Sequence, residues 1–471
     1  MYHKIGWMMA VLALCLLSSC AKSSLSDDGQ DPLANVPVPI TFTTYTTAMS
    51  GTRAGYEGLI TDDDRLRDLG FGVYAFTTDS KAWAEWTKTA PNFMYNEHVS
   101  YEYVSAAERE WMYTPLKYWP NDNQPADNAT AQGSQLHSYV SFFAYAPYVG
   151  NDDGTMPAPA DGEAGIIGES SNTAAGEPWI QYRWSSDIDR QVDLLWDAKK
   201  DLYRMGELDG KHYGYVDGRV QFDFKHALSC IELYVQRVYD EVEFSGKKPD
   251  NDVDTKIFVS SLALTPTDMT LNTTGKFNLA TGAWDFTGAE TTAGAIRFAA
   301  TDFVNTLSGD PSTGIPATED ELTTLRVNEL DKFAMTNAET GAVIATGVDE
   351  VQRQLTQSNR LMMLIPQTGV KLTPSITYSF LTQDNELLLS KLTDSKGNRY
   401  VRIVNTVEGD PIADLKFEGG KRYKLLCLIG VEHVSFEVIG IEDWDFPIRI
   451  LPSVEPWTEG INSERVVDEP L

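Results

Sequence analysis

Short runs of alternating apolar and polar residues, separated by clusters of Gly, Asn, Asp and Pro, recur along almost the whole of this 471-residue chain. A period of two puts successive side chains on opposite faces of a pleated strand, so the pattern commits the chain to β-sheet. Residues 39–47 (PITFTTYTT) are β-branched and aromatic and place Val38, Ile40 and Phe42 on one face. Runs at 70–76 (GFGVYAF), 139–145 (YVSFFAY) and 192–196 (VDLLW) follow it. The second half alternates at 220–224, 231–235, 257–264, 361–365, 376–381, 423–431 and 434–439. The best amphipathic helix is a single candidate, 319–330 (EDELTTLRVNEL). Many short strands joined by turns predict an all-β chain built of antiparallel sandwiches.

A chain this long holds more than one small module. The acidic, Gly-rich stretch 206–218 (GELDGKHYGYVDG) reads as a linker, and composition resets at Arg219 and Val220. The predicted division is therefore an N-terminal sandwich over 38–218, a C-terminal sandwich over 219–446 and a tail over 447–471. Residues 121–134 and 150–176 are poor in apolar side chains and read as surface excursions of the first unit. Lys and Arg total 38 against 68 Asp and Glu, a formal charge of −30, which repels nucleic acid and anionic membrane surfaces.

The first residues carry an address. Lys4 precedes an apolar run over 7–17, and Leu17-Ser18-Ser19-Cys20 has the bulky-small-small-Cys form of a lipoprotein processing site. Residues 1–19 are then a signal peptide and Cys20 the lipidated first residue; the other reading is an ordinary secretory signal with a chance cysteine. The apolar run is shorter than the ~20 residues a membrane-spanning helix needs. Residues 20–37 are small, polar and acidic without periodicity, as suits a flexible tether. Of four cysteines, only Cys230 and Cys427 remain for a disulfide in an oxidising compartment; they read equally well as small buried apolar residues.

Catalytic signals are few. GxSxG, HExxH, GxxxxGK[ST] and a strand-linked GxGxxG are missing, and the six histidines have no metal-ligand spacing. Asp187, Asp189 and Asp193 crowd one segment, yet it lacks the glycine and terminal Glu of a calcium-binding hand and reads as a solvated acidic turn. No cofactor and no metal site is expected. Seven of the 11 tryptophans (Trp83, Trp86, Trp111, Trp119, Trp179, Trp184 and Trp196) lie in the first unit, either packed in its core or displayed as a sugar-stacking platform.

Taken in order, a lipoprotein signal, PITFTTYTTAMSGTRAG, GFGVYAFT, YTPLKYWP, SFFAYAP, VDLLW, VQFDFKHALSCIELYV and GKRYKLLCLIGVEHVSFEVIGIEDW resemble the fimbrillin-like subunits of type V pili over residues 38–444. The resemblance implies two transthyretin-like antiparallel β-sandwich domains in tandem and a structural, non-enzymatic role. It further implies export to the outer membrane as a lipoprotein, trimming by an arginine-specific surface protease, and head-to-tail assembly by donor-strand exchange into a surface fimbrium that supports adhesion and biofilm formation.

On this chain, a strand followed by Gly51-Thr52-Arg53-Ala54-Gly55 is a cleavable strand. A cut between Arg53 and Ala54 removes Ile40, Phe42 and Thr44 together with the lipid, leaving an open sheet edge for a neighbour's strand. Phe446, Ile448 and Ile450 alternate in the segment beyond Trp444 and are the candidate donor, although Pro447, Pro452, Pro456 and Pro470 interrupt it. The rival readings are a glycan-binding surface lipoprotein that never polymerises and a pilus anchor that keeps its lipid.

Overall fold

The computed structural model describes residues 39–45, 58–60, 63–78, 81–105, 108–120, 138–203, 206–208, 211–213, 219–237, 255–303, 309–310, 315–316, 353–357, 360–383, 392–393, 399–429 and 434–443. Over these residues the chain is all-β, broken by the short helix Asp63–Leu69 and the 3-10 turns Ile188–Arg190 and Ala300–Asp302.

The N-terminal half is organised by a six-stranded antiparallel sheet. Its strands run in the order Lys225–His226, Leu195–Leu202, Val140–Ala146, Phe71–Thr77, Met94–Tyr103, Arg109–Met112. The two central strands are buried along almost their whole length. Phe71, Val73, Ala75, Val140, Phe142 and Ala144 face one apolar cluster, and Tyr74, Phe76, Phe143 and Tyr145 face another. A sheet covered on both sides reads as a continuous apolar run, which is why GFGVYAF and YVSFFAY carry so few polar residues. Gly72 is required between them: a Cβ there would stand 2.4 Å from the Tyr145 ring and 2.6 Å from Asn96 Oδ1.

The second apolar cluster continues without a break into the C-terminal half. There, Ser229–Arg237, Met362–Leu364, Lys421–Ile429 and Val434–Asp443 form one sheet. Thr255–Pro266, Ile296–Ala299, Gln367–Gln383, Arg399–Glu408 and Ile412–Phe417 belong to the other. Ile231, Leu233 and Leu425 join Leu262, Leu264, Ile376 and Tyr378 in the core.

Among the described strands, pairing departs from the purely antiparallel expectation in two places. Ser229–Arg237 runs parallel to Lys421–Ile429, and Thr41–Tyr45 runs parallel to Arg219–Asp223. Both pairings join strands far apart in sequence, which a period-two pattern cannot register.

Strands on the far side of the composition break at 218/219 pair back with strands before it. Arg219–Asp223 pairs with Thr41–Tyr45, and Lys225–His226 pairs with Leu195–Leu202. Farther on, Trp179–Arg183 pairs with Thr274–Asn278 from beyond the break. Within 206–218, read as a linker, Gly206–Leu208 and Lys211–Tyr213 form a small antiparallel pair. The 150–176 excursion contributes the strand Gly165–Glu169, whose Glu169 accepts hydrogen bonds from the Tyr74 and Tyr95 hydroxyls at 2.8 and 2.7 Å. The helix expected at 319–330 lies outside the described residues.

The disulfide between Cys230 and Cys427 does not form: both are free, buried thiols. Cys230 stands opposite Arg422 and Cys427 opposite Val235 on the parallel pair. They are thus five residues apart along the ladder, about 17 Å at ~3.3 Å per residue, far beyond the ~7 Å between Cα atoms that a disulfide tolerates. Burial pushes both thiols well above their ordinary pKa. They act as small apolar residues.

Candidate assembly groove

The strand Thr41–Tyr45 lies in a groove of the N-terminal half, held by side chains on one face and backbone on its edge. Ile40 and Phe42 are 0% and 3% exposed, as deep in the core as any residue of the sheet beneath them. The Phe42 ring stacks on Phe222 at 5.6 Å and meets Phe71, Phe142 and Tyr113 at 6.0, 6.0 and 5.3 Å. Two residues on, buried Thr44 accepts a hydrogen bond from Trp111 Nε1 at 3.1 Å. At the other end the Ile40 N–H donates to Lys117 O and its carbonyl accepts from the Tyr113 hydroxyl, both at 2.9 Å. Burial raises the Tyr113 pKa, so this hydroxyl keeps its proton. Pro39 bridges Tyr118.

Backbone accounting shows what depends on this strand. Among the described strands, Arg219–Asp223 pairs with Thr41–Tyr45 and no other. Removing residues 39–45 would leave Arg219–Asp223 an open edge and uncover Phe71, Phe142, Phe222 and Tyr113. Unpaired backbone beside apolar surface is a template for another extended segment.

The described chain is held again at residues 58–60. Leu59 and Ile60 are buried, and the Ile60 N–H donates to Asp193 Oδ2 at 3.2 Å. Asp193, fully buried, also accepts from the Leu194 N–H at 2.8 Å and lies 3.0 Å from His226 Nδ1, while its own N–H donates to Gly58 O. The two anchored stretches, 39–45 and 58–60, flank the segment that carries Arg53.

The sequence-derived site residues distribute as follows. Ile40, Phe42 and Thr44 come together in the groove on one face of one strand. Cys20, Arg53, Ala54, Phe446, Ile448 and Ile450 lie outside the described residues. The three clustered aspartates are engaged separately. Asp187 caps the 3-10 turn by accepting from the Asp189 N–H, Asp189 lies 2.8 Å from Arg360 Nη2, and Asp193 faces inward to His226. Among the described residues no group of three His, Cys, Asp or Glu is placed to hold a metal.

Trp83, Trp111, Trp119 and Trp184 are buried, Trp86 and Trp196 pack partly buried against the core, and Trp179 is half-buried with Lys276 Nζ 4.4 Å from its ring, so six of the seven favour the packing reading over a sugar platform. Sequence reasoning missed the groove's own walls, Trp111 and Tyr113, and the Asp193 anchor. The walls carry a signal in hindsight, the aromatic density of Trp111-Met112-Tyr113 and Tyr118-Trp119; Asp193 carries none, since only the fold buries it.

Comparison with known proteins places this architecture. The fimbrillin-like family matches residues 52–324. The chain is 24% identical over 431 residues to the fimbrium subunit Fim1C of Phocaeicola vulgatus strain ATCC 8482, covering 87% of this chain and 98% of that one. It shares its fold, with a TM-score of 0.55 and 23% identity, with the crystal structure of a fimbrial protein from Bacteroides vulgatus ATCC 8482, covering 86% of this chain and 99% of the other. Because the family match extends over more than half of its residues, this chain belongs to the fimbrillin-like family.

Proposed function

We propose that this chain is a structural subunit of a surface fimbrium, made as a lipoprotein on Cys20, cut after Arg53 and joined head-to-tail to other fimbrial subunits by strand exchange, in support of adhesion. The observation that carries the reading is the strand Thr41–Tyr45. It completes the core of the N-terminal half, yet it is followed by an arginine-bearing segment and then by a second, independent anchorage at Leu59 and Ile60. A cut between the two anchorages leaves the body its own hold on the new N-terminus. The strand is then attached only by packing and hydrogen bonds, and an incoming strand can replace it. Kinship with fimbrial proteins supports the same reading, and the role is that of a building block rather than a catalyst. Head-to-tail contacts of this kind propagate into filaments.

The test is N-terminal sequencing of the protein in filaments sheared from the native cell. A start at Ala54 is expected. Recovery only in the membrane fraction, beginning at lipidated Cys20 after exposure to the surface protease, would refute assembly and leave an anchor. Arg53→Ala is expected to give folded, unpolymerised lipoprotein.

A further inference from the structure

The resident strand does not fit its groove equally well at every position. Ile40 and Phe42 fill enclosed apolar sites, and the Thr44 hydroxyl meets the buried Trp111 Nε1. Thr41, between the first two, has its Oγ1 enclosed with no hydrogen-bond partner. An enclosed hydroxyl without a partner forfeits the hydrogen bonds water gave it, so an aliphatic side chain of the same shape would be favoured there. Conversely, Trp111 Nε1 would be left without its acceptor by any strand lacking an oxygen at the Thr44 position. The groove therefore has three matched sites and one mismatched site.

On the strand-exchange reading above, we infer that this groove selects an incoming strand with an aliphatic residue at the Ile40 site, a residue without a hydroxyl at the Thr41 site, an aromatic at the Phe42 site and a hydrogen-bond acceptor at the Thr44 site, and that residues 442–471 of a second copy are not that strand. The mismatch at Thr41 gives such a strand an advantage over the resident one, so exchange is downhill. The chain's own residues 442–471 do not meet the rule when read in the resident strand's direction. They contain three aromatics, Trp444, Phe446 and Trp457. Phe446 is preceded by Trp444 and Asp445 and followed two residues on by Ile448, which brings no acceptor. Trp457 has Glu455 and Pro456 in the two positions before it, placing a carboxylate in the Ile40 site. Trp444 has Glu442 and Asp443 there, and Phe446 at the acceptor position. Residues 442–471 of a second copy would thus bury a charge or orphan Trp111 whichever of these aromatics they offered.

The experiment uses the folded full-length chain, nicked at Arg53 with an arginine-specific protease, its N-terminal fragment carrying a fluorophore. Synthetic peptides then compete for the groove: the resident sequence over 38–47, its Thr41→Val, Thr44→Val and Phe42→Ala versions, and the tail sequence over 442–451. The expected order is displacement by Thr41→Val at about tenfold lower concentration than the resident peptide and by Thr44→Val at about tenfold higher, which is the effect of one enclosed polar group won or lost. Phe42→Ala and the tail peptide are expected not to displace the fragment. Equal potency of the resident, Thr41→Val and Thr44→Val peptides, or competition by the tail peptide as strong as the resident's, overturns the selectivity while leaving exchange intact. Failure of every peptide, the resident sequence included, overturns strand exchange itself.

Discussion

Truncating Phe42 to alanine tests whether the first strand is a structural part of the N-terminal core or merely lies on it. The ring is 3% exposed and touches four aromatic rings from four separate parts of the chain. Its deletion leaves a cavity walled by rigid rings that collapse poorly, so the cost should sit in the usual range for a buried Phe→Ala change, about 3–5 kcal/mol. With ~2–4 °C lost per kcal/mol for a unit of this size, the melting transition of the N-terminal half should fall by roughly 6–20 °C. Urea denaturation followed by tryptophan fluorescence measures the loss, with the m-value unchanged because the same surface is exposed on unfolding. Phe42→Leu, which keeps most of the volume, should cost less than ~1.5 kcal/mol. Tyr103→Ala, at a residue 64% exposed, should stay within about 0.5 kcal/mol. Amide exchange supplies a local readout, since Arg219–Asp223 loses protection when its partner strand loosens. A Phe42→Ala loss below about 1 kcal/mol, with Arg219–Asp223 still protected, would show that the strand does not complete the core.

Three further outcomes are expected. Asp193→Ala leaves the Ile60 and Leu194 N–H groups and His226 without their shared acceptor, so it should destabilise by about 3–5 kcal/mol in urea titration, and a loss under ~1 would remove Asp193 as an anchor. Cys230 and Cys427 should resist alkylation in the native protein and both react in denaturant without reductant, as read by peptide mass; protection that persists until reductant is added would mean a disulfide. Burial lowers the pKa of His98, against an opposing pull from Glu102, while its ring stacks on Tyr148 at 4.0 Å. The unfolded chain then binds a proton before the folded one, so the stability due to neutral His98 is present above its unfolded pKa of ~6.5 and is lost as pH falls below it. Neighbouring Glu97, raised by burial, has the opposite slope at lower pH. The difference between wild type and His98→Gln in urea midpoint from about pH 7.5 to 5 isolates the histidine, and a constant difference would refute the assignment.

The all-β class, many of the longer strands and the family were legible because they rest on local pattern and on ordered motifs. The run PITFTTYTT shows Ile40 and Phe42 on one face, and the structure buries that face. Met94–Tyr103 and Arg109–Met112 escaped because strands near a sheet edge carry mixed polar faces that resemble loops. The composition shift at Arg219 was visible, but composition reports solvent exposure rather than pairing, so it could not reveal that Arg219–Asp223 reaches back to Thr41–Tyr45. The same limit applied to the cysteines: two small apolar residues on paired strands look alike whether opposite each other or five steps apart. Asp193 was seen as one of three acidic turn residues, and only tertiary folding turns it inward to His226.

The ladder between Trp179–Arg183 and Thr274–Asn278, with Trp184 Nε1 donating to Met363 O and Gln191 exchanging hydrogen bonds with Met363, binds the two halves side by side. This has a mechanical meaning. In a chain pulled from its groove toward its last strand, tension need not run through a tether between two beads. It can be shared by a ladder of backbone bonds and an apolar seam that must slide or shear before the halves part. If subunits join by the strand exchange proposed above, a filament made of such units would fail at its joints before its members yield.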